Sequence, residues 1–369
     1  MRILLISGIV FVHVPFNPAT SPFLGTNGWF DWLRVFLGDS LFRVGVPCLS
    51  MISGYLLFRK GMQSFDYGKT LQSKAKTVLL PFLLWNLGLF AAVWLVQSVG
   101  IGQGYFHDVH GSSVRDTLTL AFATEDLPVN LPLYFLRDLI VCIALSPLLA
   151  LLVRRFAVPT LAILFVFAVL PGVAIPIVIK KTILFSFTMG IFLALRGADL
   201  KMLDRFAVPG TVVTIAAALA LSIAQYQSGP DYPWMVDLAR NALSMLGAFG
   251  FWMISAIAIR SRTGQRLAAT GSLSFWIFCA HYPVLMVLWM VWNKIAGVSA
   301  YPVFYLGAVA LTLTVMVITN ALAMRLMPPL YQVLTGSRGR KEKLANATAS
   351  RSVGAGHSPI EPNLSQQRR

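Results

Sequence analysis

Arg2-Ile3-Leu4-Leu5-Ile6-Ser7-Gly8-Ile9-Val10-Phe11-Val12-His13-Val14-Pro15 is an apolar run with a guanidinium at its head and an imidazole near its end. Arg2 and His13 are eleven residues apart, with no charge between them. At 3.6 residues per turn that is about three turns, so the two side chains share one helix face. With about 1.5 Å of rise per residue they stand roughly 16 Å apart along the axis. Placing such groups in hydrocarbon is costly, and they usually face a polar interior with a task there. The run is short for a membrane span. It reads either as a tilted, short first helix or as the end of a helix that starts further upstream. Val14-Pro15-Phe16-Asn17-Pro18 offers no small-residue cleavage site, which argues against a signal peptide.

The same apolar character recurs along the chain. Hydrophobic residues make up 57% and charged residues 12%, against about a quarter charged in ordinary soluble domains. Ten apolar segments stand out, at 2–16, 35–58, 78–99, 131–153, 158–178, 182–195, 207–226, 241–259, 271–292 and 303–324. Most have the roughly 17–25 residues that cross a bilayer core. Pro171, Pro176 and Lys180-Lys181 interrupt the fifth and sixth. The expected fold is all-α, a polytopic integral membrane bundle of about ten transmembrane helices. Residues 1–330 form the membrane domain, and 331–369 form a basic, disordered cytoplasmic tail whose charges can touch anionic lipid.

The net charge of +16 suggests nucleic acid at first sight. Its distribution excludes that partner. With the N-terminus inside, Arg59, Lys60, Lys69, Lys74, Lys76, Arg154, Arg155, Arg196, Lys201, Arg205, Arg260, Arg262 and Arg266 all fall on the inner side. The outer side holds only Arg115, Lys180, Lys181 and Lys294. This is the positive-inside pattern, and it places both termini in the cytoplasm. Cys48, Cys142 and Cys279 lie within apolar runs without metal-ligand spacing, so they read as small core thiols. His107-x-x-His110 with Asp108, in the long outer segment, reads better as a solvated loop than as a metal site, because no third ligand has helical spacing.

Chemistry has few places to live. Arg34, Asp39, Arg43, Arg137, Asp138, Asp237 and Arg240 interrupt spans or their edges. They must pair with one another or line a wet cavity. Asp39 and Arg43 stand four apart, suited to a pair on one helix. Arg137 and Asp138 are adjacent, so their side chains are expected to point apart and to find partners on other helices. A lone membrane histidine is more often a hydrogen-bonded core residue. Arg2 on the same face shifts His13 towards function, and Pro15 ends or kinks the helix just beyond it. His281, two residues before Pro283, reads as core when taken alone. Ser53-Gly54-Tyr55 reads as close helix packing through a small residue.

Five stretches in order resemble the acyltransferase-3 family of integral membrane O-acyltransferases, over residues 1 to about 330. Arg2-x10-His13 matches the family's first-span basic residue and histidine. Arg43-Val44-Gly45-Val46-Pro47-Cys48-Leu49-Ser50-Met51-Ile52-Ser53-Gly54-Tyr55-Leu56 resembles its second-span signature. Leu79-Leu80-Pro81-Phe82-Leu83-Leu84-Trp85-Asn86, Leu133-Tyr134-Phe135-Leu136-Arg137-Asp138-Leu139-Ile140 and Ser274-Phe275-Trp276-Ile277-Phe278-Cys279-Ala280-His281 follow. Within the family the chain is most similar to the exopolysaccharide-modifying branch, the succinoglycan O-succinyltransferases. Where members often carry Arg-x-x-Arg before the third span, this chain has Lys74-Ala75-Lys76, which puts bidentate phosphate recognition by arginine in doubt.

The resemblance implies a bacterial inner-membrane enzyme. It would move an acyl group, succinyl before acetyl, from cytoplasmic succinyl-CoA or acetyl-CoA to a sugar hydroxyl. The acceptor would be an exopolysaccharide or its lipid-linked precursor. No metal or redox cofactor is required. Partners would be membrane lipids, the glycan acceptor and other polysaccharide assembly proteins. His13 is the expected general base and Arg2 the residue for a donor phosphate or carbonyl. Arg43, Lys74, Lys76, Arg137, Asp138 and His281 are candidate substrate-binding residues. The competing class is a flippase for a lipid-linked oligosaccharide, which the absence of internal repeats disfavours. A non-catalytic scaffold would have no reason to set Arg2 and His13 on one face.

Overall fold

The structure, a computed structural model, describes residues 1–125, 127–298 and 300–336. Most of the expected tail, from residue 337 on, lies outside them. Sixteen α-helices are described: α1 (Arg2–Val12), α2 (Trp29–Val35), α3 (Gly45–Phe58), α4 (Tyr67–Lys74), α5 (Leu80–Ser98), α6 (Val114–Phe122), α7 (Tyr134–Ala144), α8 (Ser146–Arg155), α9 (Ala157–Val169), α10 (Lys181–Leu195), α11 (Ala207–Ser228), α12 (Trp234–Ala258), α13 (Arg262–Ala268), α14 (Gly271–Ile295), α15 (Tyr301–Leu326) and α16 (Pro328–Leu334). Isolated bridges occur, but no strand does, among the described residues.

Six helical stretches are long and apolar enough to cross a membrane: Trp29–Phe58, Tyr67–Ser98, Leu200–Ser228, Trp234–Ala258, Gly271–Ile295 and Tyr301–Leu326. Leu131–Ala144 with Ser146–Arg155, bent by 62°, makes a seventh if taken as one span. The chain is thus a multi-pass helical membrane protein, and the expectation of ten spans is met only in part. The other three expected segments fold as the apolar helices α1, α9 and α10. At 1.5 Å per residue they reach roughly 16–23 Å, short of a hydrocarbon core about 30 Å thick.

Local sequence explains where the expected boundaries move. Helix α1 stops at Val12, because Pro15 disfavours helical geometry at Val14. The fifth segment, expected to reach 178, stops at Val169, ahead of Pro171 and of Gly172 with its positive φ of 72°. Pro147 sets the bend between α7 and α8. The second segment starts at Trp29, six residues earlier than expected, and is not one regular helix. A π-helical turn over Phe36–Leu41 and a 3-10 turn over Phe42–Val44 join α2 to α3. A second π turn, Ala75–Leu79, joins α4 to α5. Such turns re-aim the side chains that follow.

Helix α1 lies inside the bundle, packed against α3, α14 and α15, with Leu5, Ile6, Ile9 and Val10 buried. The closest packing joins α3 to α10. A Cβ at Gly54 would stand 2.1 Å from the Phe187 carbonyl oxygen, and one at Gly190 would stand 2.0 Å from that of Met51. Only glycine admits this approach, as the Ser53-Gly54-Tyr55 reading expected. Around this core, α9 and α11 turn Val158, Ile163, Val166, Val208, Val212 and Val213 outward, fitting a lipid-facing surface. The three cysteines are free and buried.

Candidate active site

His13 caps the C-terminal end of α1, where its Nδ1 lies 2.9 Å from the carbonyl oxygen of Ile9. His281 is fully buried in α14, and its Nδ1 lies 2.9 Å and 3.0 Å from the carbonyl oxygens of Ile277 and Phe278. The two rings meet across 268 residues of sequence, with His281 Nε2 3.3 Å from His13 Nδ1. Carbonyl oxygens only accept, so a neutral His281 carries its hydrogen on Nδ1 and keeps a lone pair on Nε2. His13 Nδ1 then stands between two acceptors, the Ile9 oxygen and that lone pair. It must donate, which leaves the His13 lone pair on Nε2. The backbone thereby selects the tautomer in which Nε2 of His13 can take a proton.

The surroundings hold this pair in place. Pro283 has no N–H for the Cys279 carbonyl oxygen, and Nδ2 of Asn130 donates to that oxygen at 2.9 Å instead. Backbone N–H of Asn130 donates in turn to Asn86 Oδ1 at 3.0 Å. On either side of His13, hydroxyl groups from α15 fasten the chain: Tyr305 donates to the Phe11 oxygen at 3.3 Å and Tyr301 to the Pro15 oxygen at 2.8 Å. The Arg34 guanidinium lies 4.1 Å from the Tyr301 ring centroid, pairs with Asp31 at 3.1 Å and donates to the Thr20 oxygen at 2.8 Å. Arg34 is 4% exposed and Asp31 0%, so this is a buried ion pair under the segment that follows His13.

Two cavities stand at successive levels of the same helices. The larger, of about 470 Å³, lies at the Arg2 end and is walled in part by Arg2, Ser53, Ser73, Lys74 and Phe278. Phe278 is the residue whose carbonyl holds His281. The smaller, of about 280 Å³, lies towards the His13 end and includes Arg43, Tyr134, Lys180, Lys181 and Arg240 in its wall. Helix α3 gives Leu49, Ile52 and Ser53 to the first, and Val46 and Pro47 to the second. Helix α10 gives Phe187 to the first, and Lys181 and Thr182 to the second.

The structure therefore brings His13 to His281 and sets Arg2 with Lys74 on one cavity. Arg43 belongs to the other cavity and pairs with Asp39 at 2.7 Å. Lys76 is exposed. Arg137 and Asp138 require a correction. Adjacency does not drive them apart, because the arginine folds back so that its Nη1 meets Asp138 Oδ1 at 3.0 Å. Each also binds backbone. Arg137 donates to the oxygens of Ala123 at 3.0 Å and Ile177 at 2.7 Å, while Asp138 accepts from the N–H groups of Ile179 at 2.9 Å and Lys180 at 2.8 Å. Asp31 and Asn130 had no sequence signal of their own. Lys180 and Lys181 had one, as a pair of cations on the side where the charge pattern has almost none.

No solved structure matches the chain. The chain is 52% identical over 361 residues, 97% of its length and 96% of the relative's, to the succinoglycan biosynthesis protein ExoH of Rhizobium meliloti (strain 1021). The profile of the acyltransferase domain matches residues 1–321, and the chain belongs to the acyltransferase-3 family.

Proposed function

We propose that this protein transfers an acyl group, succinyl before acetyl, from a cytoplasmic acyl-CoA to a sugar hydroxyl of an exopolysaccharide or its lipid-linked precursor. It would sit in the bacterial inner membrane, with both termini in the cytoplasm. The observation that carries the reading is the contact of His13 with His281, whose Nδ1 bonds the carbonyl of Phe278 in the wall of the cavity that also includes Arg2 and Lys74. The relative's role in succinoglycan biosynthesis supports the polysaccharide acceptor.

In this mechanism His13 Nε2 takes the proton of the acceptor hydroxyl as its oxygen attacks the thioester carbonyl. A C–O bond forms, the tetrahedral intermediate collapses, and the C–S bond breaks. The imidazolium of His13 returns its proton to the departing sulfur. While His13 is charged, its Nδ1–H donates to Ile9 and His281, which spreads the charge and keeps the ring in place. Arg2 and Lys74 attract the phosphates of the donor. Arg2 stands roughly 16 Å along α1 from His13, which suits the phosphate end of the donor better than its carbonyl.

The test is proton NMR of the exported polysaccharide from wild type, a deletion strain, and the deletion carrying His13→Ala, with membrane levels of the variant measured alongside. Polymer that is exported but lacks one acyl signal in both mutants is the expected outcome, and the missing signal identifies the acyl group. Full acylation with His13→Ala sinks the mechanism. Failure of export with a build-up of lipid-linked intermediates favours the flippase instead.

A further inference from the structure

The smaller cavity carries a surplus of positive charge. Arg43 is matched by Asp39 at 2.7 Å and Arg240 by Asp237 at 2.8 Å. Among the described residues no carboxylate stands within ion-pair distance of the Lys180 or Lys181 ammonium, although Lys181 donates to the Leu170 oxygen. Of the carboxylates near the two lysines, Asp138 is committed to Arg137 and to the backbone N–H groups of Ile179 and Lys180, and Asp237 to Arg240. The commitment of Asp138 is structural: it fixes the loop that presents the two lysines. The Lys180 ammonium is held below the ordinary lysine range, first by desolvation and then by the charges of Arg43 and Arg240. Cations that crowd one another in a concave wall create a standing demand for an anion.

Its position gives the anion a source. Phe42, next to Arg43, stacks on Phe11 with ring centroids 5.6 Å apart, two residues before His13. An anion in this cavity would therefore lie near the His13 end of α1. The wall mixes its cations and the Tyr134 hydroxyl with Val46, Pro47 and Val178, which suits a short aliphatic carboxylate better than a bare ion.

We propose that the cavity walled by Arg43, Tyr134, Lys180, Lys181 and Arg240 binds a carboxylate carried by one of the reaction's substrates. The carboxylate is either the free end of a dicarboxylic acyl group or an acidic group of the acceptor glycan. The assignment rests on the acyl-transfer reading for its source of ligand, but not for the binding itself.

The experiment titrates the purified full chain in detergent with succinate, at constant ionic strength, and reads the thermal midpoint. Sodium acetate and sodium chloride serve as comparisons. Wild type should be stabilised by succinate more than by acetate or chloride. Lys180→Gln with Lys181→Gln should weaken the succinate response by at least about tenfold in concentration, since charge-assisted contacts carry it. A charge-matched pair outside the cavity wall, Arg115→Gln with Lys294→Gln, should respond as wild type does. Equal succinate response in the dilysine variant and wild type, or equal stabilisation by chloride, overturns the site. Transfer rates then separate the sources. Loss with succinyl-CoA but not acetyl-CoA assigns the carboxylate to the acyl group, while equal loss with both assigns it to the acceptor. If wild type transfers neither group, the acyl-transfer reading fails and the titration still decides the anion site.

Discussion

Replacing His281 by phenylalanine should slow acyl transfer by about 10- to 100-fold, less than the loss of His13 itself. The magnitude comes from the two acceptors at His13 Nδ1. The Ile9 oxygen at 2.9 Å survives the substitution and still selects the tautomer with a lone pair on Nε2. What disappears is the second acceptor, His281 Nε2 at 3.3 Å. Its value is greatest when His13 is charged, when a hydrogen bond to an ionised group contributes about 1.5–3 kcal/mol. The 3.3 Å separation is long for such a bond, which favours the lower part of that range. Removal of the base, as in His13→Gln, should cost about 10²- to 10⁴-fold. His281→Gln should recover much of the rate, because its Oε1 can accept where Nε2 did. The assay is the initial rate of transfer from acyl-CoA to acceptor by purified protein, with thermal midpoints to show that each variant is folded. His281→Phe at the wild-type rate would refute the pairing. A folded His281→Phe as inactive as His13→Gln would refute the division of roles and make His281 the base.

Two further outcomes concern the scaffold. Gly54→Ala should lower the thermal midpoint and impair both cavities, because its Cβ would stand 2.1 Å from the Phe187 oxygen and α3 would have to move from α10 by more than an ångström. Gly88→Ala, with nothing within 4 Å of its Cβ, should melt as wild type does, and equal midpoints for the two variants would contradict the close α3–α10 contact. Arg34→Gln removes the counter-charge of the Asp31 carboxylate at 0% exposure, while the backbone N–H and Nδ2 of Asn27 still donate to it, and should destabilise by about 3 kcal/mol, the low end for a broken buried pair. Chemical denaturation should also show Arg34→Gln with Asp31→Asn to be more stable than Arg34→Gln alone, and the reverse order would deny the buried pair.

How far the sequence carries this protein depends on the range of each interaction. Arg2 and His13 can be read together because they belong to one helix, whose period maps spacing onto a face. The meeting of His13 with His281 cannot be read in that way, since 268 residues lie between them and no local period links α1 to α14. The family resemblance places both histidines in matched stretches without saying that they touch. Asp31 escapes notice for another reason. Apolar composition starts the second segment at residue 35, yet the helix begins at Trp29 and carries Asp31 in its first turn. The π turn at Phe36–Leu41 breaks the period that would have joined the two parts. Arg137 and Asp138 mislead because neighbouring side chains leave the helix in different directions, but a long arginine can fold back. Lys180 and Lys181 were visible as exceptions to the charge pattern. Their place in a cavity wall depends on the Asp138 contacts that fix their loop.

The arrangement of the two cavities bears on how an acyl group could leave a donor that stays on one side. Along α3 and the 3-10 turn before it the walls pass from Ser53 and Leu49 to Pro47, Val46 and Arg43, and six residues of helix span about 9 Å. Moving a CoA phosphate through that interval would bury several charges, each costing several kcal/mol without a partner. An acyl group carries at most one charge, and only when it is dicarboxylic. On the reading proposed here Arg2 and Lys74 keep the phosphates at one end, and only the acyl group passes to the histidines. A succinyl group then presents a single carboxylate to be stabilised, and the surplus charge of Lys180 and Lys181 is the counterpart it needs. The dilysine variant thus tests a consequence of the fold as well as a binding site, because the two cavities share α3, α7 and α10.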